Sequence, residues 1–245
     1  MNIKRLLYFP AVLFINFTFA QPIIVLDAGH TPEAAGALGA KGIYEVEYND
    51  RFVAELKPQL EAIGYKVILT RNPEQNISLQ QRARIANQLN ADLFLSIHHD
   101  STREKYLVQT TVDNLPAQRT IEPFRGFSAY VSNKNGSPFS SYCFAENLTK
   151  QILPLGRAPA LYHTDPIKGE NRPLLNKEYG IYRYDNLVVL RSTQVPAVLL
   201  EIGVIPDEED EAWVSNSQNR HNMQQAIVRA VANYQDNCIK PYSID

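Results

Sequence analysis

Cysteine is almost missing from this 245-residue chain: Cys143 and Cys238 are the only two. Two such distant residues give no zinc-binding pattern, and whether they pair with each other is left open by the sequence. A basic tract is also missing. The 24 Lys and Arg are scattered among 26 Asp and Glu, for a formal net charge of -2, which argues against nucleic acid as a partner. No hydrophobic run is long enough to span a bilayer. The apolar stretch at residues 6–19 is interrupted by Pro10, Asn16 and Thr18 and falls short of the roughly 18 to 20 residues required. Gly36, Gly39 and Gly42 do not form G-x-G-x-x-G after the first strand pattern, and there is no Walker lysine, which disfavours a nucleotide-binding domain. Internal repeats and low-complexity linkers are lacking too.

What is present begins with a leader. Lys4 and Arg5 precede the apolar stretch, and Ala20 follows Thr18 at a spacing that a signal peptidase accepts. A secretory signal is therefore expected over residues 1–20, with one catalytic domain filling 21–245 and no stable membrane span after cleavage. No cysteine stands directly after the apolar stretch, which argues against a lipid anchor.

Residues 23–26 form a short continuous apolar run of the kind covered on both faces in a parallel sheet. A glycine-spaced loop follows, then residues 46–63 recur at helical spacing and stop at Gly64. Residues 65–69 read as a strand, Ser78 as the cap of a helix carrying Ile85, Ala86 and Leu89, and LFLSI after Asp92 as another buried strand. Strand–helix alternation of this kind predicts an α/β fold: a single three-layer domain whose mostly parallel central sheet is flanked by helices. Beyond it, 101–124 reads as a loop or lid, 126–131 as a strand, 140–153 as a helix and 156–177 as surface chain. Residues 186–190 and 197–200 read as strands, and 213–234 as a long helix broken near 217–220.

Four residues stand just past buried-strand patterns or at the start of the first helix: His30, Glu45, His98 and Glu201. Ligands collect at the carboxyl ends of strands in open α/β sheets, so their wide separations in sequence need not be separations in space. Two imidazoles and one carboxylate fill three positions of a catalytic metal site, leaving a fourth open and a second carboxylate free for proton transfer. Strand alternation permits only one of His98 and His99 to face that site. His98 is the choice, with His99 an outer neighbour or surface residue. Asp27 and Asp100 are candidates for orienting a ligand histidine or touching substrate, Asp92 is a competing acid or cap, and Arg191 is placed to meet a substrate carboxylate or an acidic neighbour. His163, in a polar loop, and His221, on the closing helix, read as solvent-facing.

IVLDAGH, GALGAKGIYE, GYKVILTR, SLQQRARIAN, ADLFLSIHHD and VLRSTQVPAVLLEIG occur in that order. With these six segments the chain resembles the zinc-dependent N-acetylmuramoyl-L-alanine amidases of the Amidase_3 type, cell-wall hydrolases, from about residue 23 to 232. The resemblance implies one Zn2+ per chain held by His30, Glu45 and His98, with Glu201 as the catalytic carboxylate. It further implies peptidoglycan glycan strands and stem peptides as partners, and a periplasmic or cell-envelope location. An activator protein is left open as a further partner. Thr31 and Pro32 replace the family's usual glycines, Asp100 stands where Asn is common, and IGVIPDEED lacks the common Phe and Asn after the glutamate. The alternatives are a zinc peptidase or amidase acting on another envelope substrate, and a catalytically silent wall-binding or regulatory domain.

Overall fold

The computed structural model describes residues 20–164, 172–234 and 238. The expected signal segment over 1–20 lies, apart from Ala20, outside the described residues. Strand β1 (Ile23–Ala28) pairs in parallel with β2 (Lys66–Leu69) on one side and β3 (Leu93–Asp100) on the other. Its apolar run does not alternate because helices cover both faces. Between these strands run α1 (Glu45–Ala62) and α2 (Leu79–Gln88). Helix α1 buries Val46, Phe52, Val53, Leu56 and Leu60 along one stripe. The chain leaves it through Gly64 at φ 96°, a left-handed conformation that glycine adopts without strain. At the start of α2, Ser78 Oγ accepts from Gln81 N at 3.2 Å while Gln81 Oε1 accepts from Ser78 N at 2.7 Å, a reciprocal cap that satisfies two otherwise unpaired donors.

The second half departs from the sequence reading in several places. Residues 101–124 are not a plain loop: a short 3-10 turn leads into a hairpin of β4 (Leu107–Val112) and β5 (Leu115–Thr120). Asp113 and Asn114 take positive φ between the strands, as a two-residue hairpin turn requires. Only Ala117 of the hairpin strands is fully buried, so they lack the hydrophobic alternation that marks a half-buried sheet. Strand β6 (Ser128–Val131), helix α3 (Pro138–Ile152) and strands β7 (Leu174–Asn176) and β8 (Ile181–Arg183) follow. Residues 186–190, expected as a strand, belong mainly to a one-turn helix, α4 (Val188–Ser192). A four-residue apolar run reads alike for a buried strand and a buried helix face. Strand β9 (Ala197–Val204) continues past Leu200, so Glu201 lies within it rather than after it. The closing helix is two, α5 (Glu208–Ser215) and α6 (Ser217–Tyr234), divided at Asn216.

The main sheet has the order β2-β1-β3-β9-β6-β8-β7 and is parallel except at β9–β6 and β8–β7. One face packs against α1, α3 and α6 through Phe52, Leu56, Phe144, Leu148 and Ile227. The other packs against α2 and α4 through Ala86, Phe94, Val189 and Leu199. This is the expected three-layer α/β domain with a mostly parallel sheet. Among the described residues no helix is long and apolar enough to cross a membrane.

Cys143 on α3 and Cys238 beyond α6 form a disulfide across a separation of 95 residues. A cross-link closing so long a loop removes much unfolded-chain entropy. Replacing both cysteines with serine is expected to lower unfolding free energy by about 2–4 kcal/mol, measured as a shift in urea midpoint that reductant reproduces in the parent protein.

Candidate active site

Strand β1 hands the chain to the site through a three-residue turn. Gly29 N extends the ladder by donating to Ile97 O at 3.0 Å, and His30 then turns at φ 67°, a backbone conformation costly for a residue with a side chain. Two arginines hold the turn. Arg82, fully buried on α2, donates to Ala28 O at 2.6 Å and to His30 O, and its charge is met by Asp27 at 2.5 Å. Arg71 donates to His30 O at 2.9 Å and Gly29 O at 3.3 Å and pairs with Asp50 at 2.6 Å. Asp27 also accepts from Thr70 and Ser96, so it anchors this clamp and orients no ligand histidine.

His30 Nδ1 lies 3.1 Å from Ala34 O. A carbonyl only accepts, so that nitrogen carries the proton and Nε2 keeps its lone pair for the site. Nε2 lies 2.9 Å from Glu45 Oε2, and His98 Nδ1 lies 2.8 Å from Glu45 Oε1. The metal-binding atoms of His30, Glu45 and His98 all fall within 4.8 Å of one another. The donor set of two imidazoles and a carboxylate fits a catalytic metal site. Close backbone approach makes this convergence attainable. A Cβ on Gly29 would stand 2.3 Å from the His98 ring, and one on Gly36, at φ 78°, would stand 2.5 Å from Glu45 Oε2.

Glu45 is the first residue of α1, where the helix dipole favours a carboxylate. It accepts from Ala37 N, His99 N and Asn49 Nδ2 as well. Burial alone would raise its pKa, but the two imidazoles hold it far below the usual carboxylate range. In return, and against its own burial, Glu45 holds His30 above the usual histidine value.

Glu201 stands opposite His98 in the β3–β9 register. Its Oε2 is shut off from solvent with no hydrogen-bond partner. Burial, and then the charges of Asp100 and Glu45, push its pKa well above the ordinary value. Glu201, His30 and His98 line a cleft of about 270 Å3 with Asp100, Tyr130 and His163. A second, apolar cleft of about 410 Å3 also reaches His30 and His98, between Ile77 and Leu79 on one side and Leu187 and Val189 on the other.

Several sequence expectations are corrected here. Arg191 points outward from α4, with Nη1 3.5 Å from Asn186 O, and lines neither cleft. Of the two readings of Asp92 the cap is the one observed: it accepts from Ile23 N at the opposite end of β1. Asp100 lines the cleft but holds Tyr162 and His163 rather than a ligand histidine. His163 is accordingly a cleft residue, not a solvent-facing one, whereas His221 is exposed. His99 is neither outer nor surface: it is buried on the opposite face of β3, its Nδ1 2.8 Å from Asn49 Oδ1. Arg71, Arg82 and Asn49 received no role from the sequence. An arginine on the buried stripe of α2, beside Ala83 and Ala86, was the available signal.

Comparison with known proteins points the same way. The Amidase_3 family, described as N-acetylmuramoyl-L-alanine amidase, matches residues 24–233. The chain is 26% identical over 236 residues to N-acetylmuramoyl-L-alanine amidase AmiC of Neisseria meningitidis serogroup B, covering 87% of this chain and 53% of AmiC. It is 26% identical over 223 residues to AmiA of Escherichia coli, covering 86% of this chain and 75% of AmiA. The chain thus spans only about half the length of AmiC. Among solved structures, the catalytic domain of CwlV from Paenibacillus polymyxa superposes with a TM-score of 0.66 at 26% identity, covering 88% of this chain and 99% of that domain.

His99 generates a test of how tightly the site is packed. Burial drives its pKa down from 6.5 to about 3, so it stays neutral in the folded protein while the unfolded chain takes up a proton. Its contribution to stability is complete above pH 6.5 and declines as the pH falls toward 3. In metal-free protein, His99→Gln is expected to remove up to about 1.4 kcal/mol per pH unit from the slope of unfolding free energy over that window. Urea titrations from pH 4 to 8 measure this, and an unchanged slope would contradict it.

Proposed function

The chain belongs to the Amidase_3 family of N-acetylmuramoyl-L-alanine amidases, and from that premise we propose that it is a zinc-dependent peptidoglycan amidase. It cleaves the amide between the lactyl group of N-acetylmuramic acid and the L-alanine of the stem peptide. The observation that carries this reading is the buried, unpartnered carboxylate oxygen of Glu201 beside the convergent donors of His30, Glu45 and His98.

His30, Glu45 and His98 would hold the ion. Zinc bound there supplies Lewis acidity, making water more acidic and polarising the scissile carbonyl. Glu201 accepts a proton from the attacking water and delivers it to the departing L-alanine nitrogen. A carboxylate whose proton affinity is raised by burial suits both transfers. Glu45, held ionised by its two imidazoles and two backbone N–H donors, is unsuited to carry protons. The products are a glycan strand with a free lactyl carboxylate and a stem peptide with a free amino terminus.

Substrate and location follow from the same reading. The two clefts meeting at His30 and His98 give a substrate with groups on both sides of the scissile bond two walls to lie against. The leader expected over 1–20 supports export to the periplasm or cell envelope, where peptidoglycan lies.

Zinc-loaded protein incubated with peptidoglycan is expected to release intact stem peptides beginning with L-alanine, identified by mass spectrometry. Glu201→Gln is expected to retain zinc and lose roughly a hundred- to ten-thousand-fold in rate. Cuts within the stem would assign a peptidase instead. Silence from a folded, zinc-loaded protein would point to a required activator or a non-catalytic binding domain.

A further inference from the structure

Asp100 Oδ2 accepts two short hydrogen bonds, from Tyr162 Oη at 2.6 Å and from His163 Nε2 at 2.6 Å, while Oδ1 accepts from Ser101 N at 2.8 Å. A carboxylate offers only acceptors, so His163 Nε2 must carry a proton. In the neutral ring this leaves a lone pair on Nδ1, which has no hydrogen-bond partner among the described residues. The ring is also held by packing: centroids of Tyr162, Tyr182 and Tyr130 lie 4.2, 5.6 and 5.7 Å away. His163 is thus a group of fixed tautomer and orientation, lining the same cleft as Glu201, His30 and His98. An asparagine at position 100 could present its NH2 as readily as its carbonyl. The carboxylate of Asp100 removes that ambiguity.

We propose that His163 is a substrate-contacting residue whose Nδ1 accepts a hydrogen bond from the N–H of the scissile amide, with Asp100 as its positioning residue. The inference rests on the amidase reading and assigns to one cleft residue the recognition of an amide over other acyl linkages. In a planar trans amide the carbonyl oxygen and the N–H point in opposite directions. A carbonyl directed toward the His30 and His98 end of the cleft therefore turns its N–H toward another wall. Asp100 follows His98 by two residues on β3, roughly 7 Å along an extended strand, and holds His163 in the cleft that His98 also lines. The contact would fix the leaving nitrogen during attack, an orienting role of the kind that small displacements impair.

The test compares two soluble muramoyl-dipeptide substrates, one with the natural lactyl amide and one with an ester oxygen replacing the N–H. His163→Ala is expected to lower kcat/KM for the amide roughly tenfold, the value of about one hydrogen bond, and to leave the ester within about twofold. Zinc content should be unchanged. His163→Gln, which keeps an acceptor, should restore part of the amide rate, and Asp100→Asn should reduce amide selectivity by less than His163→Ala. An equal loss on both substrates would mean a merely structural role and overturn the inference, as would full amide activity in His163→Ala. A folded, zinc-loaded parent protein that cleaves neither substrate, even with cell-envelope extract added as a source of activator, would overturn the amidase reading, and this inference with it.

Discussion

The site depends on how the carbonyls of Ala28, Gly29 and His30 are held. Strand β1 would run straight past the sheet edge, yet the chain turns sharply at a histidine with positive φ. Arg82 and Arg71 enforce that turn from behind, each donating to more than one of these carbonyls while paired with Asp27 or Asp50. Arg82 and Asp27 are both buried, and removing one partner of such a pair costs about 3–5 kcal/mol because the other charge is left uncompensated. The clamp thus serves as a rigid backing that converts a strand end into a ligand position.

From that fixed point the remaining groups follow by topology. Parallel pairing brings β3 beside β1, and β9 beside β3, so His98 and Glu201 reach the same edge in register. Helix α1 starts above that edge and presents Glu45 between the two imidazoles. On the far face of β3, His99 and Asn49 fill the space behind Glu45 with hydrogen-bonding groups. The two carboxylates consequently differ in chemistry: Glu45 is saturated with donors, while Glu201 has an oxygen with none. Proton transfer therefore falls to Glu201.

The first half of the fold was legible in the sequence because β1, α1, β2, α2 and β3 are strongly patterned and locally capped. Residues His30, Glu45, His98 and Glu201 could be picked out because strand ends mark the functional edge of an α/β sheet. Three kinds of feature escaped. The β4–β5 hairpin buries only Ala117 fully and carries little hydrophobic alternation, and the short apolar run at α4 is ambiguous between helix and strand. Long-range partners such as Arg82 with His30 O, or Asp100 with His163, are set by packing rather than spacing. His163 in particular sits in a polar loop, and only the fold places it against Asp100 and the tyrosines.

The most direct test of the account is an anomalous-diffraction experiment at the zinc edge on zinc-loaded protein. The account predicts one zinc per chain, bound by His30 Nε2, His98 Nδ1 and a Glu45 oxygen at about 2.0–2.2 Å, with the Glu201 carboxylate beside it and outside the ligand set. Zinc bound instead by His163, His99 or Glu201, or no ordered zinc at the edge where β1, β3 and β9 end, would contradict it.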